Sequence, residues 1–272
     1  MVTCLATAAK IASDKGGAIL KATHAALLKE AGLSGRIGCI LVVLGATLFA
    51  SWLPTAAAQP AIHISFEESD VGKPPTGWTS RNGNAAEVYS VRSEGGKTFL
   101  HADARGSAVQ IGHEIAWSLK ELPLLQWQWR AVLFPLNGDE RRKATNDSVL
   151  GLYVVFGRWP FIKAIKYIWS ESLPVGTSLD SPFSSRTKLV VLESGQGLAG
   201  RWVTERRDVL ADFHRLFGDG ETAPAARGIG LLTDADNTNS RAIGDYGDME
   251  IFGADQRQQR VKAATDKGSD KP

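Results

Sequence analysis

Residues 124–134 read "LLQWQWRAVLF". Trp127, Trp129, Ala131 and Leu133 share one side at a period of two, the spacing of a β-strand with one buried face. Pro135 ends the run. Short segments of the same rhythm flank it. They are "AIHISF" (61–66), "AEVYSV" (86–91), "KTFLHADA" (97–104), "SAVQIGHEI" (107–115), "SVLGLYVVFG" (148–157) and "AIKYIWS" (164–170). Within 86–91, Ala86 and Val88 fall on one face and Tyr89 and Val91 on the other. "EGG" and "ARG" mark turns between them. After an irregular Ser/Pro-rich excursion come "RTKLVVLES" (186–194) and "AGRWVTE" (199–205). The spacer "GQGL" predicts a hairpin between these two. "RGIGLLT" (227–233) and "GDYGDMEIF" (244–252) are the closing strands.

One segment has helical spacing. In "RRDVLADFHRLFG", Val209, Leu210, Phe213, Leu216 and Phe217 recur at three and four, and Gly218 stops the run. Asp208 and Asp212 lie toward its N-terminus, where the helix dipole favours negative charge. Arg215 can reach Asp212 at i,i+3. Many short strands, long polar connections and one helix predict an all-β fold: an antiparallel β-sandwich with one helix packed on it. There is no βαβ alternation and no internal repeat.

The N-terminal part differs in kind. Residues 1–36 carry five Lys/Arg against two acids, and "IGCILVVLGATLFA" (37–50) is uncharged. "SWLPTAAAQP" follows. This order is that of a secretory signal with a long n-region, cut after Ala58. The competing reading is an uncleaved anchor through residues 37–53, about 17 residues against the roughly 20 that span a bilayer. Residues 59–253 are then the β-sandwich domain, and 254–272 a disordered polar tail. The expected compartment is the periplasm, with an inner-membrane anchor as the alternative. Cys4 and Cys39 both precede the cut, so the exported part has no disulfide. Its charge is about −1, since the leader holds +3 of the chain's +2. With no basic excess, a nucleic-acid partner is not expected.

Several longer motifs carry a resemblance to a known family. "GWTSRNGNAAEVYSV", "LPLLQWQWR", "IKYIWS", "VVLESG", "GRWVTERRDVLADFHRLFG" and "GIGLLTDADNT…YGDMEIF" resemble the DUF3047 family of uncharacterised exported bacterial proteins. The resemblance runs from about Ile64 to Phe252. It implies a jelly-roll-like sandwich similar to carbohydrate-binding modules, and no assigned activity.

Chemistry is sparse. "LLTDADNTNS" (231–240) places Asp234, Asp236, Thr238 and Ser240 at alternate positions, as in an EF-hand loop. Asn239 stands where that loop turns on glycine, and no helices flank it. Two readings stay open: a non-EF calcium site on Asp234, Asp236 and Asn237, or a turn held by its own Asp and Asn side chains. Glu193, Glu205, Asp234, Asp236, Asp248 and Glu250 are the acids available for paired-carboxylate hydrolysis. His113-Glu114 lacks the remaining zinc-motif histidine, because position 117 is Trp, and no nucleophile elbow or phosphate loop occurs. The expected function is binding of a carbohydrate or cell-envelope glycan. Trp78, Trp159 and Trp169 would be platforms, and Asp147, Asp234, Asp236 and Asn237 hydrogen-bonding groups. The alternatives are an envelope interaction protein and a glycan hydrolase.

Overall fold

The computed structural model describes residues 61–254, apart from Asp219, Glu221 and Pro224. The leader (1–58) and all but the first residue of the tail (254–272) lie outside these. Among the described residues no helix is long and apolar enough to cross a membrane.

The chain forms two mostly antiparallel sheets. The strands are β1 (Ile62–Ile64), β2 (Trp78–Ser80), β3 (Tyr89–Glu94), β4 (Lys97–Arg105), β5 (Ile111–Trp117), β6 (Leu124–Leu133) and β7 (Leu150–Phe156). Next come β8 (Lys163–Ser170), β9 (Ser178–Ser181), β10 (Ser184–Ser194), β11 (Val203–Asp208), helix α1 (Val209–Phe217), β12 (Ala226–Leu232) and β13 (Arg241–Phe252). A six-stranded sheet has the order β11-β6-β13-β4-β3, and β1 extends it beside β13 beyond the end of β4. A seven-stranded sheet has the order β2-β5-β12-β7-β8-β10-β9.

The opening stretch is β6, and it faces the core as its alternation predicts. Trp127, Trp129 and Ala131 are buried. Leu133 departs from that side and is 41% exposed. The register explains it: Gly244 pairs with Ala131 while Ile243 pairs with Leu133, so one extra β6 residue is accommodated and the facing flips. Across the sandwich, Trp127 packs on Tyr167 at 5.4 Å, and Trp129 on Trp169 at 6.1 Å. These rings tie the two sheets together, and truncation of one such buried ring costs about 3–5 kcal/mol.

The hairpin expected from "GQGL" does not form. β10 runs parallel to β8 in one sheet, whereas β11 pairs with β6 in the other. The segment 195–202 therefore crosses between sheets. The Ser/Pro-rich excursion carries β9 to the far side of β10, and its Leu173 and Leu179 pack on Ile168, Leu189 and Val191. Helix α1 follows β11 and closes one edge. Asp208 caps it by accepting from the Ala211 amide at 2.9 Å. Phe213 packs on Phe156 of β7 at 5.1 Å. Asp212 is buried, accepting from Arg207, Arg215 and the Tyr167 hydroxyl. The Arg215–Asp212 pair anticipated from sequence is thus one side of an anchored cluster.

Candidate functional site

The loop 233–240 links β12 to β13, and so links the two sheets. Its acids converge with one from the loop before β7. Carboxylate oxygens of Asp147, Asp234 and Asp236 lie within 4.8 Å of one another. Asp147 is fully buried and holds the loop: Oδ1 accepts from the Asn237 amide at 3.1 Å and Oδ2 from the Thr238 amide at 2.8 Å. The loop is thus tied by an acid from elsewhere in the chain. Asp234 is 5% exposed, and its Oδ1 has no hydrogen-bond partner. Burial pushes its carboxyl up to about 8, with Asp147 and Asp236 adding repulsion and Lys166 opposing. Lys166 is itself buried, donates to Ser148 Oγ at 3.1 Å and lies over the Tyr153 ring. Burial opposes its charge, but Tyr153, Asp234 and Glu140 outweigh that and raise its pKa. The three acids offer an all-oxygen set of ligand atoms for a metal ion, beside the Lys166 ammonium.

A second feature lies on the outer face of the seven-stranded sheet. Ile229 and Leu231 of β12 face the core, so Gly228 and Gly230 face outward. A Cβ on Gly228 would stand 2.7 Å from the His113 carbonyl, and one on Gly230 would stand 3.1 Å from Gln110 Nε2. These glycines, with Gly112 of β5, floor a groove of about 700 Å³. Its rim carries Arg81, Gln110, Glu114, Arg158, Trp159 and Arg227. Trp159 is 84% exposed, in the turn between β7 and β8. That turn is fixed from below, since Arg186 donates to the Pro160 carbonyl. The volume lies within the range of small-ligand sites.

A family model described as "Protein of unknown function (DUF3047)" matches residues 76–250. The chain belongs to the DUF3047 family. No curated protein matches it. Among solved structures, this DUF3047 protein is similar to the family 11 carbohydrate-binding module of a Clostridium thermocellum cellulosomal cellulase. That match has 10% identity and a TM-score of 0.40, covering 73% of this chain and 97% of the other. A xyloglucanase domain of a Sinorhizobium fredii effector matches at 9% identity and TM-score 0.33, covering 72% and 97%. The Emp47p carbohydrate recognition domain matches at 12% and 0.33, covering 66% and 89%.

The DUF3047 fold separates the residues singled out by sequence. Asp147, Asp234 and Asp236 come together, whereas Asn237 is linked to them through its backbone amide. Trp159 lines the groove. Trp78 is half-buried against the core, stacked on Phe66 at 5.9 Å and tilted against His113 at 5.3 Å. Trp169 is completely buried, its Nε1 donating to the Gly195 carbonyl at 3.0 Å. As a platform for a ligand it is corrected: Trp169 takes the inward face of β8 and packs on Trp129 and Phe134. Glu193 and Glu205 do meet across the sheet edges, and burial together with ionised Glu193 pushes Glu205 up to about 7. The two carboxyls interact closely enough to share a proton. On the six-stranded sheet, buried Asp245 accepts from Arg130 Nε at 2.7 Å and pairs with His101 Nδ1 at 2.7 Å. Sequence reading missed the groove residues Arg81, Gln110, Glu114, Arg158 and Arg227. The signal was present in "RGIG", where two glycines at period two on a strand mark an open face.

Proposed function

We propose that this protein is an exported, non-catalytic glycan-binding sandwich, and that a calcium ion on Asp147, Asp234 and Asp236 clips its loop 233–240. The observation that carries the reading is the groove: a backbone floor with an exposed tryptophan and hydrogen-bonding side chains at its rim. An indole face stacks on the C–H face of a pyranose, and the guanidinium, amide and carboxylate groups suit ring hydroxyls. The glycine floor lets a flat ring approach the sheet. The calcium ion would draw on the orphaned Oδ1 of Asp234 and offset the repulsion among three carboxyls. Export rests on the leader.

The test is a glycan array probed with the full-length chain and with Trp159→Ala, each with and without EDTA. Retained glycans should lose at least about tenfold in affinity with Trp159→Ala. No glycan retained in either condition sinks the reading. Release of reducing ends from a bound glycan refutes the non-catalytic part. Calcium should raise the melting temperature and EDTA lower it, and a melt that neither moves removes the clip.

A further inference from the structure

The groove is lined by three arginines and one carboxylate. Several guanidiniums of the fold are held by carboxylates that they share. Arg105 and Arg241 share Asp103, Arg141 and Arg142 share Asp139, and Arg207 and Arg215 share Asp212. Arg81, Arg158 and Arg227 line the groove together with a single carboxylate, Glu114. None of the three forms an ion pair among the described residues. The Nε of Arg227 is buried and has no hydrogen-bond partner. The rest of its guanidinium belongs to a half-buried side chain on the groove lining, where an incoming acceptor would find donors that the protein leaves without a carboxylate. Guanidiniums, with their planar N–H forks, match carboxylates.

We propose that the groove selects acidic polysaccharides, with Arg81, Arg158 and Arg227 binding uronate carboxylates while Trp159 stacks on a neighbouring sugar ring. This rests on the glycan-binding reading and names its ligand class. A polyphosphate backbone fits less well. Glu114 faces the same groove and repels a closely spaced anion, and one exposed indole offers a single stacking step where single-stranded nucleic acids use successive ones. A polyuronate carries one charge per sugar and hydroxyls between charges, which Glu114 and Gln110 accept and donate to.

The experiment measures affinity of the full-length protein for polygalacturonate, for the same polymer fully methyl-esterified, and for polyuridylate, at low and high salt. Polygalacturonate should bind about tenfold or more tighter than its ester at low salt, and the ratio should shrink at high salt. Arg81→Gln/Arg158→Gln/Arg227→Gln should bring the ratio to about one while leaving weak binding to the ester. Arg81→Gln/Arg158→Gln, which spares half-buried Arg227, should reduce the ratio without disturbing the melt. Trp159→Ala should weaken both polymers equally. Equal binding of the two pectin forms, or array hits confined to neutral glycans, overturns the acidic selectivity and leaves glycan binding standing. Tightest binding of polyuridylate also overturns it. Absence of binding to every glycan overturns both.

Discussion

Replacing Glu205 by Gln should make the protein more stable at alkaline pH and leave it unchanged at acid pH. Glu205 sits on β11, and its Oε1 accepts from Trp129 Nε1 at 3.2 Å. Burial, then the charge of Glu193, push its carboxyl from 4.5 to about 7, against the pull of Trp129 and Arg207. Folded protein thus holds a proton that the unfolded chain releases near 4.5. Stability is greatest below that pH, falls as pH rises through 7, and then levels off. A shift of about 2.5 units corresponds to roughly 3 kcal/mol. Glu205 is partly solvent-exposed, so screening reduces this to about 1.5 kcal/mol. Gln keeps a carbonyl for Trp129 and an N–H for Glu193, but has no charge to desolvate. Urea unfolding at pH 4.5, 6, 7 and 8.5 reads the effect directly. The variant should match the parent within about 0.5 kcal/mol at pH 4.5 and exceed it by about 1.5 kcal/mol at pH 8.5. A difference independent of pH, or a variant weaker at pH 8.5, refutes the reasoning.

Two further substitutions test the framework. Arg130→Ala leaves buried Asp245 with His101 alone and should cost about 3 kcal/mol in chemical unfolding, with little rescue by Lys, which lacks the fork that reaches Asp245 and Glu94 together. Asp208→Ala removes the cap of α1 and should cost about 1 kcal/mol, read as a lower midpoint with an unchanged denaturant slope.

The local elements were legible in the sequence because each rests on neighbours along the chain. The alternation of 124–131 placed β6, and the apolar spacing of 209–217 with Asp208 before it placed the helix. Partner choice was not legible. Nothing in "GQGL" separates a turn from a crossing between sheets, because β10 is held by β8 and β11 by β6, both distant in sequence. Trp169 illustrates the same limit: its residue type suits a platform or a core, and only the face of β8 on which it falls, toward Trp129 of the other sheet, decides. The acid cluster was half legible. Asp234 and Asp236 are close in sequence, whereas Asp147 joins them through the fold. The groove needed the neighbouring β5 and β7 to give its glycines a meaning.

The glycine floor has a consequence for how such a protein can change. A surface made of side chains can be reshaped by a rotamer, but one made of main chain is fixed once the ladder forms. The depth of the groove is therefore inherited with the sheet, and a ligand meets it ready-made, with little ordering left to do on arrival. Discrimination falls to the rim, on turns such as 157–162 that can be rewritten without touching the sandwich. Under the glycan-binding proposal, rim substitutions alone would change the ligand, while a side chain at Gly228 would meet the His113 carbonyl of β5 and disturb the ladder that forms the floor.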